Sequence, residues 1–113
     1  QGVEEINGIK YISSEIAISD QKLLKQLIFQ MGQELGGNSF LLLGSRSDGK
    51  AQLTLYISED LVQSRKLHAG TIVKELAKSI NGGGGGQPFF ATAGGTNPDG
   101  LTEALVKAKS MIV

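Results

Sequence analysis

Apolar residues along this chain repeat at two spacings, and each spacing predicts its own kind of element. Leu23, Leu24, Leu27, Ile28, Met31 and Leu35 fall three and four apart, as on one stripe of an amphipathic helix. Ser19 or Asp20 stands ahead of that stripe as an N-cap, and Gly36-Gly37 closes it. Ala69, Ile72, Val73, Leu76, Ala77 and Ile80 predict a second helix, ended by Asn81 and Gly82. Leu101, Ala104, Leu105, Ala108, Met111 and Ile112 predict a third, behind the start signal Asn97-Pro98-Asp99. The other spacing is two: Ala51, Leu53, Leu55 and Ile57 alternate with Gln52, Thr54, Tyr56 and Ser58. Ahead of them the unbroken run Phe40-Leu41-Leu42-Leu43 predicts a strand covered on both faces, and Ser45-Arg46-Ser47-Asp48-Gly49 supplies the turn of a hairpin.

Asn7-Gly8, between Val3 and Ile6 and the run Ile9-Lys10-Tyr11-Ile12, predicts a strand or the start of a hairpin; Ile16-Ala17-Ile18 adds a short extended piece. Phe89-Phe90-Ala91-Thr92-Ala93 predicts a last strand, with its two phenylalanines on opposite faces. The expected order is β–α–β–β–α–β–α. That order predicts an α/β (α+β-like) fold, a mixed sheet packed by about three helices, in a single domain over residues 1–113.

Composition narrows the class. With 40% hydrophobic and 19% charged residues, the 113-residue chain matches a soluble globular protein and not a disordered tail. No apolar stretch approaches a membrane span, the first residues do not resemble a signal peptide, and a cytoplasmic location is expected. Cysteine is absent, which excludes disulfides and thiolate metal sites. The formal net charge is zero, so no long-range pull on nucleic acid is expected from the whole. Charge is uneven, however: Arg65, Lys66, Lys74 and Lys78 stand against Glu75 alone between residues 61 and 80. A local basic face and a merely solvated helix face both account for that cluster.

Five successive glycines, Gly82, Gly83, Gly84, Gly85 and Gly86, followed by Gln87-Pro88, separate the second helix from the last strand. Such a run is entropically unfavourable to order, because glycine loses the most backbone freedom on folding. A flexible linker is one reading. The flanks favour an ordered loop instead: a periodic helix leads in, Pro88 stiffens the exit, and an apolar strand follows at once. Bare backbone in a loop exposes amides to phosphate oxygens and sugar hydroxyls. Gly70 inside the second helix weakens it by about 1 kcal/mol relative to alanine, which suggests a close backbone approach or a ligand near the first turn.

The catalytic inventory is thin. His68 is the only histidine, so neither a two-histidine metal site nor a spare-ligand catalytic triad can be assembled, and a satisfied or surface role suits it. Glu59-Asp60 reads as a helix or strand end whose carboxylates cap an amide or meet the dipole. A phosphate-binding P-loop is excluded on direction, since the glycines follow a helix, precede a strand and lack the lysine. Arg46 and Lys50 flank the hairpin tip, where they could meet a phosphate or simply aid solubility. One of Phe89 and Phe90 belongs to the core; the other could stack a base, although burial under a helix suits it better.

Three stretches together resemble one family: Lys66-Leu67-His68-Ala69-Gly70 with the helix after it, Gly82 to Gln87-Pro88, and Ala91-Thr92-Ala93-Gly94-Gly95. They resemble the C-terminal globular domain of alanyl-tRNA synthetase, a fold shared with the substrate-binding domain of DHH-type phosphoesterases. The resemblance covers nearly the whole chain. Family members usually carry a lysine within the glycine loop and an arginine before the proline, where this chain has Gly83 and Gln87. Fewer charges imply fewer phosphate contacts.

The resemblance implies a non-catalytic tRNA-binding appendage of an alanine–tRNA ligase. It would contact the elbow of the alanine-specific tRNA and hold it near aminoacylation and editing centres elsewhere in the parent. Lys66, His68, Lys74, Lys78, the glycines from Gly82 to Gly86 and Gln87 are the implied contacts, with Arg65 at their margin. No cofactor is expected in this segment; ATP, magnesium and zinc would serve upstream parts of the parent, and a homodimer through this region is conceivable. Two alternatives stand beside it. One is the nucleic-acid-binding domain of a DHH-type phosphoesterase, which needs an Asp-His-His-bearing catalytic domain. The other is a dimerisation or protein-interaction module, which the neutral charge suits.

Overall fold

A computed structural model of the chain describes residues 3–112. Strand β1 (Glu4–Ile6) turns at Asn7-Gly8 into β2 (Ile9–Glu15), and helix α1 (Gln21–Leu35) carries the chain over to β3 (Ser39–Ser47). Strand β4 (Lys50–Ile57) returns from a tight turn, followed by the short helix α2 (Glu59–Ser64) and by α3 (Ala69–Ala77). A 3-10 turn at Lys78–Ile80 leads to β5 (Gly82–Gly86), which pairs with β6 (Phe90–Gly95). A second 3-10 turn, Pro98–Gly100, opens α4 (Leu101–Ser110).

The six strands form one mixed sheet in the order β1-β2-β3-β4-β6-β5. Only β2 and β3 run parallel, as the helical crossover between them requires; every other pair is antiparallel. Strands β3 and β4 lie at its centre, so both faces of Phe40-Leu41-Leu42-Leu43 are buried. Phe40 and Leu42 face α3 and α4 with Leu53, Leu55, Val73, Leu76 and Ala104. Leu41 and Leu43 face α1, against Leu24 and Ile28.

Local signals place the ends of α1. Asp20 Oδ1 accepts from the amides of Lys22 at 2.9 Å and Leu23 at 3.2 Å, and Gly36 (φ 80°) donates to the Gly32 carbonyl at 3.0 Å. Leu23 departs from the expected stripe: it is 52% exposed. Gly32 gives the Tyr56 ring room against the helix: a Cβ there would overlap the ring and push it aside.

The fold class is the expected one, with three differences of detail. Asn7-Gly8 takes the hairpin reading of its two, whereas residues 16–18, expected as a short extended piece, form no strand. Residues 59–64, which carry no long apolar period, form α2, started by Glu59 and Asp60 in its first turn. The glycine run, expected as a loop, is the edge strand β5. Its ladder to β6 supplies the order that side chains cannot.

Candidate nucleic-acid interface

The bare strand owes its shape to its neighbours on two sides. Along β6 the partners are Gly82↔Gly95, Gly83↔Gly94, Gly84↔Ala93, Gly85↔Thr92 and Gly86↔Ala91, and Gln87 N donates to Phe90 O at 2.8 Å as the hairpin closes at Pro88 and Phe89. Antiparallel pairs alternate between hydrogen-bonded and non-bonded. Counting back from Gln87, the backbone groups of Gly85 and Gly83 point at β6, while those of Gly86, Gly84 and Gly82 point away from the sheet. The donors and acceptors at positions 82 and 84 therefore face outward from exposed residues.

The same alternation divides the glycines by what a side chain would meet. A Cβ at Gly82 would overlap the Gly94 carbonyl; at Gly84 it would lie 2.5 Å from Ala93 Cα, and at Gly86 2.7 Å from Ala91 Cα. These three are glycine because β6 occupies the space. At Gly83 nothing lies within 4 Å, and at Gly85 only the flexible end of Lys74 approaches, at 3.4 Å. Packing thus accounts for three of the five, and the open backbone expected over the whole run is confined to positions 83 and 85 and the outward edge.

On its other side β5 is lined by α3, which starts against the end of the strand. The amides of Ala69 and Gly70 donate to the carbonyls of Pro88 at 2.8 Å and Gln87 at 3.2 Å. Gly70 is the close approach its position in the helix suggested: a Cβ there would sit 2.7 Å from Gly86 O. His68 is the N-cap of α3, its Nδ1 accepting from Thr71 N at 3.2 Å, so the ring is satisfied at a helix start with its rim exposed.

The expected basic residues divide into free and engaged. Lys74 lies beside Gly85 and has no ion-pair partner among the described residues. Lys78 is shared with Glu75 at 3.1 Å, and Lys107 meets the same carboxylate at 3.1 Å. Hydrogen bonds from Lys78 first, then Lys107, hold the Glu75 carboxyl below its ordinary range. Lys66, exposed between α2 and α3, takes a left-handed backbone (φ 56°), an uncommon conformation for a lysine.

Arg65 does not join this group, because its guanidinium donates to the Asn7 carbonyl in the β1–β2 turn. Arg46 at the hairpin tip is likewise occupied, gripping Glu15 through two bonds of 2.6 and 3.0 Å. Gln87 is exposed where β5 ends. Of the two phenylalanines, Phe90 packs on Phe29 with Lys25 over its ring, and Phe89 is 45% exposed. The outward edge of β5 was not anticipated; the Gly94-Gly95 pair opposite Gly83 and Gly82 is the one sequence signal that the run had a strand partner. Among the described residues no three His, Cys, Asp or Glu side chains converge on one point.

Comparisons with known proteins identify the family and the fold. The family model of the DHHA1 domain matches residues 8–113. Alanine–tRNA ligase of Christiangramia forsetii is 54% identical over 110 residues, 97% of this chain and 12% of that protein. The enzyme of the same name from Bacteroides fragilis is 48% identical over 107 residues, again 12% of its length. The chain therefore spans about an eighth of the curated relatives it matches. Among solved structures, the C-Ala domain of Aquifex aeolicus alanyl-tRNA synthetase superposes with a TM-score of 0.88 at 23% identity, over 99% of this chain and 98% of that one. A DHH-domain protein described as a member of the s1p family of ribosomal proteins matches with a TM-score of 0.63 over 95% of this chain and 27% of that one, at 19% identity, a likeness of fold. With the match running from Gly8 through the glycine strand to the last residue, this chain belongs to the DHHA1 domain family.

Proposed function

We propose that this chain is the tRNA-binding appendage of an alanine–tRNA ligase, a module that holds RNA and performs no chemistry of its own. The observation that carries this reading is the side-chain-free edge of β5, with outward backbone groups at Gly82 and Gly84, open positions at Gly83 and Gly85, and the unpaired Lys74 alongside. Backbone amides and one or two free ammonium groups suit phosphates and 2′-hydroxyls, which position a polynucleotide without reading its bases. The two relatives described above, both named alanine–tRNA ligase, support a parent of that kind, a much longer chain in which this segment is a small part.

On this reading the ligand is the tRNA specific for alanine, gripped at its elbow. Binding there raises the effective concentration of the acceptor end at the aminoacylation and editing centres, which other parts of the parent contain. ATP, magnesium and zinc belong to those parts. The protein works in the cytoplasm, and a second copy pairs through this region. The test is a titration of tRNA against the 113-residue chain at two ionic strengths. Affinity that falls several-fold as salt rises supports phosphate contact; absence of binding at low salt refutes the proposal.

A further inference from the structure

A second feature lies on the same rung of the sheet as Gly83. Ser45, Gln52 and Gly94 stand opposite one another across β3, β4 and β6, and Gly83 of β5 comes next. A cleft of about 510 Å³ opens over this rung between the start of α1 and the β3–β4 turn, with Ser19, Gln21, Ser45, Lys50, Gln52 and Gly94 in its lining. Two strand spacings, about 10 Å, separate Gln52 from the bare strand.

The lining is built but incompletely used. Ser45 is wholly buried, and its Oγ has no hydrogen-bond partner among the described residues. A buried hydroxyl left unpaired is unfavourable and calls for an explanation. Gln52 Nε2 donates to the Ser19 carbonyl at 2.5 Å, whereas its Oε1 accepts from Gln21 only at 3.3 Å, an exposed and exchangeable contact. Gly94 leaves the floor bare: a Cβ there would meet nothing nearer than the Ala51 carbonyl at 3.8 Å. Lys50 is exposed and free of ion pairs among the described residues.

We propose that this cleft binds one nucleotide unit. Neutral donors and acceptors on Ser45, Gln52 and Gln21 match a base edge or ribose, and Lys50 meets the adjoining phosphate. The cleft is of the size usual for small-ligand sites. The unit comes either from RNA laid along β5, which rests on the function proposed above, or from a free mononucleotide, which does not.

Amide NMR of the chain, titrated separately with the four ribonucleoside monophosphates and with tRNA, tests it alongside Ser45→Ala and Gly94→Val. Saturable shifts at Ser45, Gln52 and Gly94 with a monophosphate identify a free-nucleotide site; the same shifts with tRNA alone identify an RNA unit. Ser45→Ala should keep or raise the melting temperature while weakening binding about threefold to tenfold, and Gly94→Val should abolish the shifts. A lower melting temperature with unchanged binding would make Ser45 a packing residue and overturn the site. Folded variants that bind tRNA fully, while Lys74→Ala does not and the wild-type chain shows no monophosphate shifts, overturn the cleft and leave the proposed function intact. If the wild-type chain binds no tRNA, that function falls, and a lack of monophosphate shifts then removes the cleft too.

Discussion

The Cα of Gly70 lies against the carbonyl of Gly86, so close that a methyl group at position 70 would stand 2.7 Å from the oxygen. Helix α3 and strand β5 are thereby packed backbone to backbone. In an ordinary helix, Gly→Ala stabilises by about 1 kcal/mol. Here the sign should reverse: Gly70→Ala is expected to cost about 1–3 kcal/mol through overpacking, seen as a lower urea midpoint.

Neighbouring glycines of β5 should respond oppositely to the same substitution. Gly84→Ala pushes a methyl group into Ala93 and should lower the melting temperature as the edge strand detaches. Gly83→Ala enters open space and should leave it unchanged. Gly83→Lys should fold equally well, strengthen tRNA binding, and steepen the dependence of log K on log salt by about 1. A folded Gly83→Lys variant with unaltered affinity would remove this position from the contact surface.

Lysines flanking the strand should also divide. Lys74 lies beside Gly85 with no ion-pair partner among the described residues, so Lys74→Ala should reduce the salt slope by about 1. Lys78 is tied to Glu75, and its loss should change the slope less. Equal effects in parallel titrations would show that the ion pair opens on binding.

Asp60 predicts a pH dependence. A hydrogen bond from Ser58, then the Asn38 amide at 2.9 Å, holds its carboxyl below the usual range. A carboxyl depressed in the folded state stabilises fully above its unfolded value, about 3.9. That contribution is lost as pH falls through the lower folded value. Asp60→Asn should therefore be less stable than wild type at pH 7, and the gap should shrink as pH falls below about 3.9 in denaturant titrations.

Much of this was legible from residue order alone. The stripes of α1, α3 and α4, the Asp20 cap, the β3–β4 hairpin and the closeness at Gly70 all follow from periods and local chemistry. The status of β5 did not, because strand signals are side-chain signals and five glycines carry none. Its order comes from β6 and α3, contacts that are non-local. Long-range partners likewise decided the charges: Arg46 and Arg65 looked free until Glu15 and the Asn7 carbonyl, 31 and 58 residues away, claimed them.

Odd and even positions of β5 answer to different masters, and evolution can therefore edit one set without disturbing the other. Positions 83 and 85 lie about 7 Å apart along the strand, a fixed pitch at which charge or bulk can be added or withdrawn freely. Changes there should cost folding little, and relatives should differ at 83 and 85 while agreeing at 82, 84 and 86.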